Sequence, residues 1–507
     1  MGEARRRREV EQEVLAVDTF GGRVQLRWEE ESAATPLGQL VFFVEFLKAS
    51  GLYERWVEQC PLHYVSPNAP SKHDVLGTLL LSILAGHKRY AHVSAIRSDE
   101  VSPGLLGMES VISDDSLARA LRAIPEDEGV VWLDEQFQRC TEHALKLPWI
   151  LDIDTTIKPL YGRQEGALIG FNPKKPGRPS HAYHSFVMSG LRLVLDVEVS
   201  AGDKMSYRHA LPGLIALLER LPKEQQPWLV RGDCGFGNEP TLEVLEQRKL
   251  SYLFKLRLTR NVKRLLRDLF WHTDWRAAGQ GWSAREASLQ LAGWSRARRV
   301  VVLRRPIKGE LLLSDEQQQL SLAFVEPDRP YNAYEYAVLV SNLSYELLTL
   351  AQLYRDRADC ENSFDELKNQ WGWGGYTTHD LHRCRLAAKN VAIVYNWWSW
   401  FVRLANPKAR LEAITSRPFL LYAIGRKSNH AGQTHLAITS LHAARELAKS
   451  CFLRIHALLD EIKQTAAQLA QPDCWQLIVE RIVALVIAAK PRSRPLLMPM
   501  ATANCGI

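Results

Sequence analysis

The chain has 507 residues, of which 46% are hydrophobic and 24% charged, and its formal net charge is +7 at pH 7. This balance excludes an extensively disordered protein, and the length exceeds what one ordinary core accommodates, so we expect several modules. The eight cysteines show no regular spacing and argue against a zinc knuckle or a disulfide framework, and the absence of a long apolar run predicts a soluble cytoplasmic protein.

The first part of the chain predicts helices. Apolar residues recur at helical spacing over residues 37–52 and 75–84. Ser113 has the character of an N-cap for a short helix over residues 117–122, with Arg119 and Arg122 on one side. A helix-turn-helix module and a plain capped surface helix both fit this pattern.

From Trp149 onward the pattern changes to an α/β one, in the order three strands, helix, strand, helix, strand. This order is that of a ribonuclease-H-like core, although it also suits several other α/β folds. Residues 260–335 are rich in strand-forming residues, and we interpret them as an inserted β-rich domain. The predicted elements are strands at 149–153, 184–188 and 193–199, a helix at 207–221, a strand at 228–230, a helix at 239–248, strands at 252–256 and 337–340, and helices at 347–404 and 440–490.

Two aspartates follow apolar strands. Asp152 and Asp154 lie at the end of the first strand, where alternation makes both side chains point the same way. Asp233 follows the fourth strand and is flanked by glycines that allow a sharp turn. Each segment alone fits a plain strand-end turn, and only their recurrence suggests a shared site.

A third acid lies in a helical stretch with an unusual face. On one continuous helix, Tyr354, Arg357, Glu361 and Lys368 fall within an arc of roughly 60° at 100° per residue. A solvated, salt-bridged face would have this composition. A nuclease site would also have it, because phosphodiester cleavage is assisted by two hard cations about 3.5 to 4 Å apart, which prefer carboxylate oxygens.

The spacing of Tyr354, Arg357, Glu361 and Lys368 resembles the Y-R-E-K signature of the IS-four superfamily of bacterial insertion-sequence transposases. The chain looks most like the IS-thirteen-eighty group, with supporting stretches at residues 152–156, 161–167, 231–233 and 385–398. The likeness covers roughly residues 35 to 460.

This resemblance implies a DDE transposase whose catalytic, metal-binding acids are Asp154, Asp233 and Glu361, with Asp152 as a rival for the first position. It implies two Mg²⁺ ions, replaceable by Mn²⁺, and cut-and-paste transposition by hydrolysis and strand transfer at terminal inverted repeats. Tyr354, Arg357 and Lys368 would contact DNA near the cleaved end. The implied partners are double-stranded DNA and a second copy of the chain in a synaptic dimer, with no membrane, and the implied location is the bacterial cytoplasm at the nucleoid.

The implied architecture is an α/β protein with a ribonuclease-H-like core, an inserted β-rich domain, a helical N-terminal DNA-binding region and a helical C-terminal region. The expected divisions are 1–145, 146–259, 260–335, 336–404 and 405–507, the last serving in dimerisation. Two alternatives stay open, namely a metal-dependent nuclease without strand transfer and an inactive, domesticated DNA-binding protein.

Further DNA contacts are expected outside the acidic trio. Lys174, Lys175 and Arg178 lie in a Gly/Pro-rich loop suited to phosphate contact or to simple solvation. Arg119 and Arg122 are the candidates in the N-terminal region. The tryptophans of residues 371–373 and 397–400 suit core packing better than base stacking, because tryptophan stabilises mainly through burial.

Overall fold

A computed structural model of the protein describes residues 15–26, 33–64, 66–172, 175–204, 207–307, 334–439, 444–468 and 474–489. The strands are β1 (Leu15–Thr19), β2 (Gly22–Leu26), β3 (Ala33–Thr35), β4 (Ile150–Pro159), β5 (Leu168–Ile169), β6 (Pro179–Met188), β7 (Leu193–Ala201), β8 (Leu229–Gly232), β9 (Ser251–Lys255), β10 (Arg276–Ala277), β11 (Ser283–Leu289), β12 (Arg298–Pro306), β13 (Tyr334–Ser341), β14 (Gly425–His430) and β15 (Gln433–Ile438).

The helices surround the strands in an α/β arrangement. They are α1 (Leu40–Ser50), α2 (Leu52–Glu58), α3 (Lys72–Leu84), α4 (Ser102–Leu105), α5 (Asp114–Ala123), α6 (Glu126–Thr141), α7 (Tyr207–Arg220), α8 (Glu239–Gln247), α9 (Arg260–Phe270), α10 (Leu347–Arg355), α11 (Ala358–Gln370), α12 (Leu381–Ala405), α13 (Ala413–Leu420), α14 (Arg445–Gln468) and α15 (Cys474–Ala489). Within the described ranges, none of them is both long and apolar enough to cross a membrane.

The largest sheet is mixed and has β4 near its centre. Its order is β10-β11-β12-β13-β9-β8-β4-β6-β5, and β7 also pairs with β6. β4 is antiparallel to β6 and parallel to β8, which is in turn parallel to β9. The carboxyl ends of β4, β8 and β9 therefore meet at one edge of the sheet.

Alternation along the central strands decides which side chains face which layer. Ile150 on β4 and Leu229 on β8 belong to a hydrophobic cluster that includes helix α10, so Asp154 and Asp233, which follow at even spacing, lie on that face. The opposite face carries Ile153 and joins the larger core. The layer formed by α10 thus covers the face that presents both aspartates.

The segment expected to be an inserted β-rich domain extends the main sheet. Its strands β11 and β12 reach the core through β13, which pairs with β9. It also contains a helix, α9, that the sequence pattern did not predict. Within its described part, residues 260–307 and 334–335, this segment therefore continues the central sheet.

The N-terminal helices form where their caps predict. Ser113 caps α5 by accepting a hydrogen bond from the backbone N–H of Ser116 at 3.2 Å. Ser71 and Asp74 form a reciprocal capping box at the start of α3. The helical character predicted for this region is confirmed.

Helix α12 runs through the centre of the helical layer. Its tryptophans, and those of the preceding loop, are at most 3% exposed, which confirms core packing. Its buried Lys389 donates to Asp134 on α6 at 2.8 Å and to Asp196 on β7 at 2.5 Å. This ionic cluster connects the N-terminal helices to the central sheet.

Residues 347–404 are largely helical, as predicted, but they form three helices, α10, α11 and α12. A two-residue turn at Asp356 and Arg357 separates α10 from α11, and both residues keep helical backbone angles. The chain leaves the helical path over residues 371–380.

The C-terminal part contains more than helices. Strands β14 and β15 form a hairpin, and β14 pairs with β3 from the N-terminal part of the chain. Helices α14 and α15 follow, in agreement with the helical tail predicted for residues 440–490. Pro472 interrupts the helical pattern of that tail in the sequence, and it lies outside the described residues.

Candidate active site

Three predicted acids approach one another at the edge of the central sheet. Asp154 lies on β4, Asp233 directly follows β8, and Glu361 lies in the first turn of α11. The negative charges of Asp233 and Glu361 both act on Asp154 strongly enough to raise its pKa. The fold therefore brings these distant sequence positions into one electrostatic cluster.

Arg357 lies between two of the acids. Its guanidinium donates to Asp154 Oδ1 at 3.1 Å and to Glu361 Oε1 at 2.6 Å. The side chain of Arg357 is 5% exposed, whereas that of Glu361 is 63% exposed. One buried cation thus already neutralises part of the acidic cluster, and Glu361 faces solvent beside it.

The pKa of Asp154 is raised from 3.8 to about 6. Burial is the main cause, because it disfavours the charged form, and the nearby charges of Asp233 and Glu361 add to it. Arg357 opposes this shift. The folded site therefore disfavours the ionised form of Asp154, and a bound cation would offset this cost.

Asp152, the rival for the first position, is engaged elsewhere. It is fully buried and accepts two hydrogen bonds from the neighbouring strand, from Arg231 Nε at 2.8 Å and Arg231 Nη2 at 2.7 Å. The two residues are register partners on β4 and β8. Because both carboxylate oxygens are used in this pair, the arrangement favours Asp154 as the residue available to a ligand.

The turn after β8 positions Asp233. Its Oδ1 accepts the backbone N–H of Gly235 at 2.9 Å, which fixes the side chain at the start of the turn. A Cβ on Gly232 would lie 2.9 Å from Ile153 Cγ1 and 3.0 Å from the Phe236 ring, closer than side chains normally approach. A glycine before Asp233 therefore lets β8 pack tightly against β4.

The remaining members of the Tyr-Arg-Glu-Lys set occupy different positions. Tyr354 is half-buried at the end of α10, and its pKa is raised by burial, with Asp233 and Glu361 adding to the effect. Lys368 lies two turns after Glu361 on α11 and is half-buried. A two-residue turn at Asp356 and Arg357 separates α10 from α11, but both residues keep helical backbone angles. Tyr354, Arg357 and Glu361 lie near one another, because Arg357 pairs with Glu361 and the charges of both act on Tyr354.

The basic loop between β4 and β6 surrounds an exposed tyrosine. The ammonium of Lys175 donates to the hydroxyl of Tyr161, and the guanidinium of Arg178 lies 4.8 Å from the centre of the same ring. Tyr161 is 68% exposed. Lys174 lies outside the described residues. The two described cations are thus on the surface beyond the carboxyl end of β4.

The N-terminal candidates are exposed on α5 and are not part of the acidic cluster. Arg119 donates to Ser116 Oγ at 3.3 Å, and Arg122 is exposed in the last turn. Nothing in the contacts of these two residues links them to the acids. Their expected contact with DNA stays a prediction.

The donor set of the trio suits hard divalent cations. It consists of carboxylate oxygens, which Mg²⁺ and Mn²⁺ prefer, and one carboxyl, Asp154, has its pKa raised by the other two. Among the described residues, a compact triad of metal-binding side chains within 4.8 Å occurs elsewhere, at Glu45, His456 and Asp460. The ligand oxygens of Asp154, Asp233 and Glu361 do not all lie within that distance of one another.

The triad on α1 and α14 has a simpler explanation. The two ring nitrogens of His456 face different carboxylates, Glu45 at 2.7 Å and Asp460 at 3.4 Å, and Lys463 approaches both acids. Its histidine and lysine already serve as ion-pair partners. We interpret it as an ionic contact between two helices.

Sequence reasoning left out the acids' partners among the arginines. Arg231 appeared only as part of a motif, although its register position opposite Asp152 makes it the partner of that acid. Arg357 was named as a DNA contact, and the structure also pairs it with Asp154 and Glu361. Helical i,i+4 spacing signals the pairing with Glu361, but no local pattern signals the one with Asp154.

Known proteins similar to this chain include a solved transposase structure and a transposase family. A cryo-EM structure of a piggyBac transposase synaptic complex with hairpin DNA is similar to this chain at 12% identity and a TM-score of 0.36, covering 94% of this chain and 91% of that one. No curated protein matches the chain. The model of a family described as transposase DDE domain group 1 matches residues 34–459. That match spans most of the sequence, and the chain therefore belongs to this family of DDE transposases.

Proposed function

We propose that the protein catalyses cut-and-paste transposition of an insertion sequence, by cleaving DNA at terminal inverted repeats and joining the freed ends to target DNA. The observation that carries this proposal is the electrostatic convergence of Asp154, Asp233 and Glu361. Family membership adds to it, since the family is one of DDE transposases.

We propose further that the centre of the sheet is a ribonuclease-H-like core. Counting β4, β6, β7, β8 and β9 as strands one to five, their order across the sheet is three, two, one, four, five. Strands two and three are antiparallel to their neighbours, and strands four and five are parallel to the first. This pattern supports a ribonuclease-H-like core within residues 146–259, and we propose that residues 336–404 complete it.

In this proposal Asp154, Asp233 and Glu361 hold two Mg²⁺ ions, for which Mn²⁺ can substitute. Bound ions of this kind assist deprotonation of the attacking water or 3′-hydroxyl and stabilise the leaving oxyanion. The chain's own contribution is to orient three carboxylates from two strands and one helix. Burial at Asp154 also excludes water from one side of the site.

Arg357 has two roles in the proposal. Without ions it neutralises Asp154 and Glu361, which limits repulsion among the acids. When cations bind the carboxylates, its guanidinium is released to contact a DNA phosphate, an interaction that arginine makes with two parallel hydrogen bonds. Tyr354 and Lys368 extend the same DNA contact on either side of Glu361.

The outer parts of the chain would bind DNA and a second copy. Lys174, Lys175 and Arg178 provide phosphate contacts beyond β4, and Arg119 and Arg122 provide them in the helical region 1–145.

We place the chain in the IS-four superfamily, near the IS-thirteen-eighty group, and propose a homodimer in the synaptic complex. Residues 405–507 would serve in dimerisation, and the protein would act on the nucleoid in the bacterial cytoplasm.

The test is excision of the element from a plasmid that carries it with its native flanking DNA. Wild-type protein should release the element only when Mg²⁺ or Mn²⁺ is present, and Asp233→Ala should abolish release. Asp365→Asn, which removes an exposed carboxylate on the same helix as Glu361, is the matched control and should retain activity. Full activity of Asp233→Ala, or activity that persists in EDTA, would refute the proposal.

A second arm separates transposition from simple cleavage. Precut ends with free 3′-hydroxyls are supplied together with a supercoiled target plasmid. Joined products are expected if the protein performs strand transfer. Cleavage of intact ends without any joining of precut ends would identify the protein as a nuclease instead.

A further inference from the structure

Helix α9 carries a strongly basic face. Arg260, Arg264 and Arg267 fall within an arc of roughly 60° at 100° per residue, and all three are exposed. The opposite side of the helix is buried through Val262, Leu266 and Leu269. The helix therefore presents one anchored apolar side and one cationic side to solvent.

These arginines have no carboxylate partners among the residues that the structure describes. Arg264 donates to the side-chain oxygen of Asn261, and Arg267 donates to a backbone carbonyl at 3.5 Å. Arg257, just before the helix, is also exposed and forms no ion pair within that described part. An ordinary solvated helix face usually mixes cations with acids, and here Asp268 is the single acid of the helix.

A second basic stretch, residues 296–305, differs from α9 because its arginines have partners within the fold. Arg298 is paired with Glu239 and Glu246, and Arg299 with Glu286. Arg304 lies flat over Trp275, 3.9 Å from the ring centre. Its cations are therefore largely committed to partners inside the fold, in contrast to those of α9.

The start of α9 lies close to the edge at which the acids meet, while its buried residues pack into the larger core on the face of the sheet opposite the acids. β8 and β9 are parallel, and Gly232, the residue before Asp233, is in register with Phe254. The chain therefore leaves β9 about one strand spacing, ~4.8 Å, from Asp233 and begins α9 shortly afterwards. A Cβ on Gly237, in the turn after Asp233, would lie 2.7 Å from Leu256, so this turn packs on the segment leading into α9.

We infer that the basic face of α9 binds the phosphate backbone of duplex DNA and holds it at the edge where the acids lie. The inference rests on the proposed function for its partner. Arg260 to Arg267 span about 10 Å along the helix at 1.5 Å per residue, enough to contact more than one phosphate. Arginines without a carboxylate partner in the described part of the chain suit this role, because a guanidinium binds phosphate oxygens with two parallel hydrogen bonds.

The test measures how salt weakens DNA binding. Full-length protein is titrated against a labelled duplex of mixed sequence, about 30 base pairs long, in EDTA so that no cleavage occurs. Each phosphate contact contributes about 0.9 to the slope of log affinity against log salt concentration. The double variant Arg260→Gln/Arg264→Gln should flatten this slope by about 1.8, and Arg260→Lys/Arg264→Lys should restore it.

The matched control removes two charges at the opposite edge of the sheet. Lys223 precedes β8, and Lys249 precedes β9, so both exposed lysines lie near the amino ends of these parallel strands. Lys223→Gln/Lys249→Gln should leave the slope unchanged. Equal flattening in both double variants, or none in the arginine variant, would overturn the inference.

Cleavage is assayed separately, so the two proposals fail independently. A wild-type protein that cleaves DNA in Mg²⁺ but whose salt slope ignores Arg260 and Arg264 refutes the α9 surface and leaves the proposed function standing. If the slope depends on these arginines but the protein never cleaves DNA, the α9 surface is supported and the proposed function is refuted.

Discussion

Replacing Asp154 with asparagine should stabilise the metal-free protein at neutral pH. The folded protein raises the pKa of this carboxyl from 3.8 to about 6, chiefly through burial. An acid with a raised pKa binds its proton more tightly in the folded state than in the unfolded state. Stability is therefore lost as pH rises from about 4 through about 6, and the loss is complete above about pH 7.

The magnitude follows from the size of the shift. One pKa unit corresponds to about 1.4 kcal/mol, so a pKa moved from 3.8 to about 6 destabilises the protein at pH 7.5 by about 3 kcal/mol. Asparagine removes the ionisation and keeps an oxygen that can accept from Arg357. Asp154→Asn should thus unfold at a higher temperature than wild type at pH 7.5, and the gap should nearly close at pH 4.

Added metal should nearly cancel the difference in stability between the two proteins. Mg²⁺ at about 100 times its dissociation constant stabilises a protein by about 2.7 kcal/mol, and we expect this gain in wild type but little of it in Asp154→Asn. Thermal unfolding is followed at pH 4 and 7.5, with and without Mg²⁺, beside Asp365→Asn as the control. A metal-free variant less stable than wild type at pH 7.5, or equal gains from Mg²⁺, would refute the reasoning.

Three further variants test individual ion pairs. Asp152→Asn leaves the buried Arg231 poorly paired and should destabilise the protein by about 3 to 5 kcal/mol in urea unfolding, while cleavage per folded molecule persists. A folded but inactive variant would instead make Asp152 the ligand. Arg357→Gln removes the cation that competes for the acids and should tighten Mn²⁺ binding about tenfold by calorimetry, so weaker binding would contradict its proposed role. Lys389→Met removes one of the two cations that pair with Asp134 and Asp196, the other being Arg220, and should lower stability more at pH 7.5 than at pH 5, whereas a pH-independent loss would indicate a packing effect.

The sequence predicted the central sheet well because each strand there has a strong local pattern. The run before Asp233 is fully buried on β8, and the alternation at Asp152 and Asp154 correctly places both side chains on one face. Strand order and the meeting of the two aspartates follow from the parallel pairing of β4 and β8. Local pattern and long-range pairing agree in this region.

Prediction failed where tertiary contacts override periodicity. The stretch 354–368 is helical apart from a two-residue turn, but no local pattern places Arg357 against Asp154, more than 200 positions earlier. Helix α9 was not predicted because it is short and rich in arginine, so its apolar stripe of Val262, Leu266 and Leu269 gives only a weak periodic signal. The hairpin of β14 and β15 depends on pairing with β3, nearly 400 residues away, which no local signal reveals.

Counting bound Mn²⁺ by electron paramagnetic resonance, on the full chain with duplex DNA, tests the central claim most directly. Wild type should bind two ions per chain at saturation. Asp154→Asn, Asp233→Asn and Glu361→Gln should each bind at most one, and Asp365→Asn should still bind two. If all three acid variants retain wild-type stoichiometry, these carboxylates do not hold the ions, and the account is contradicted.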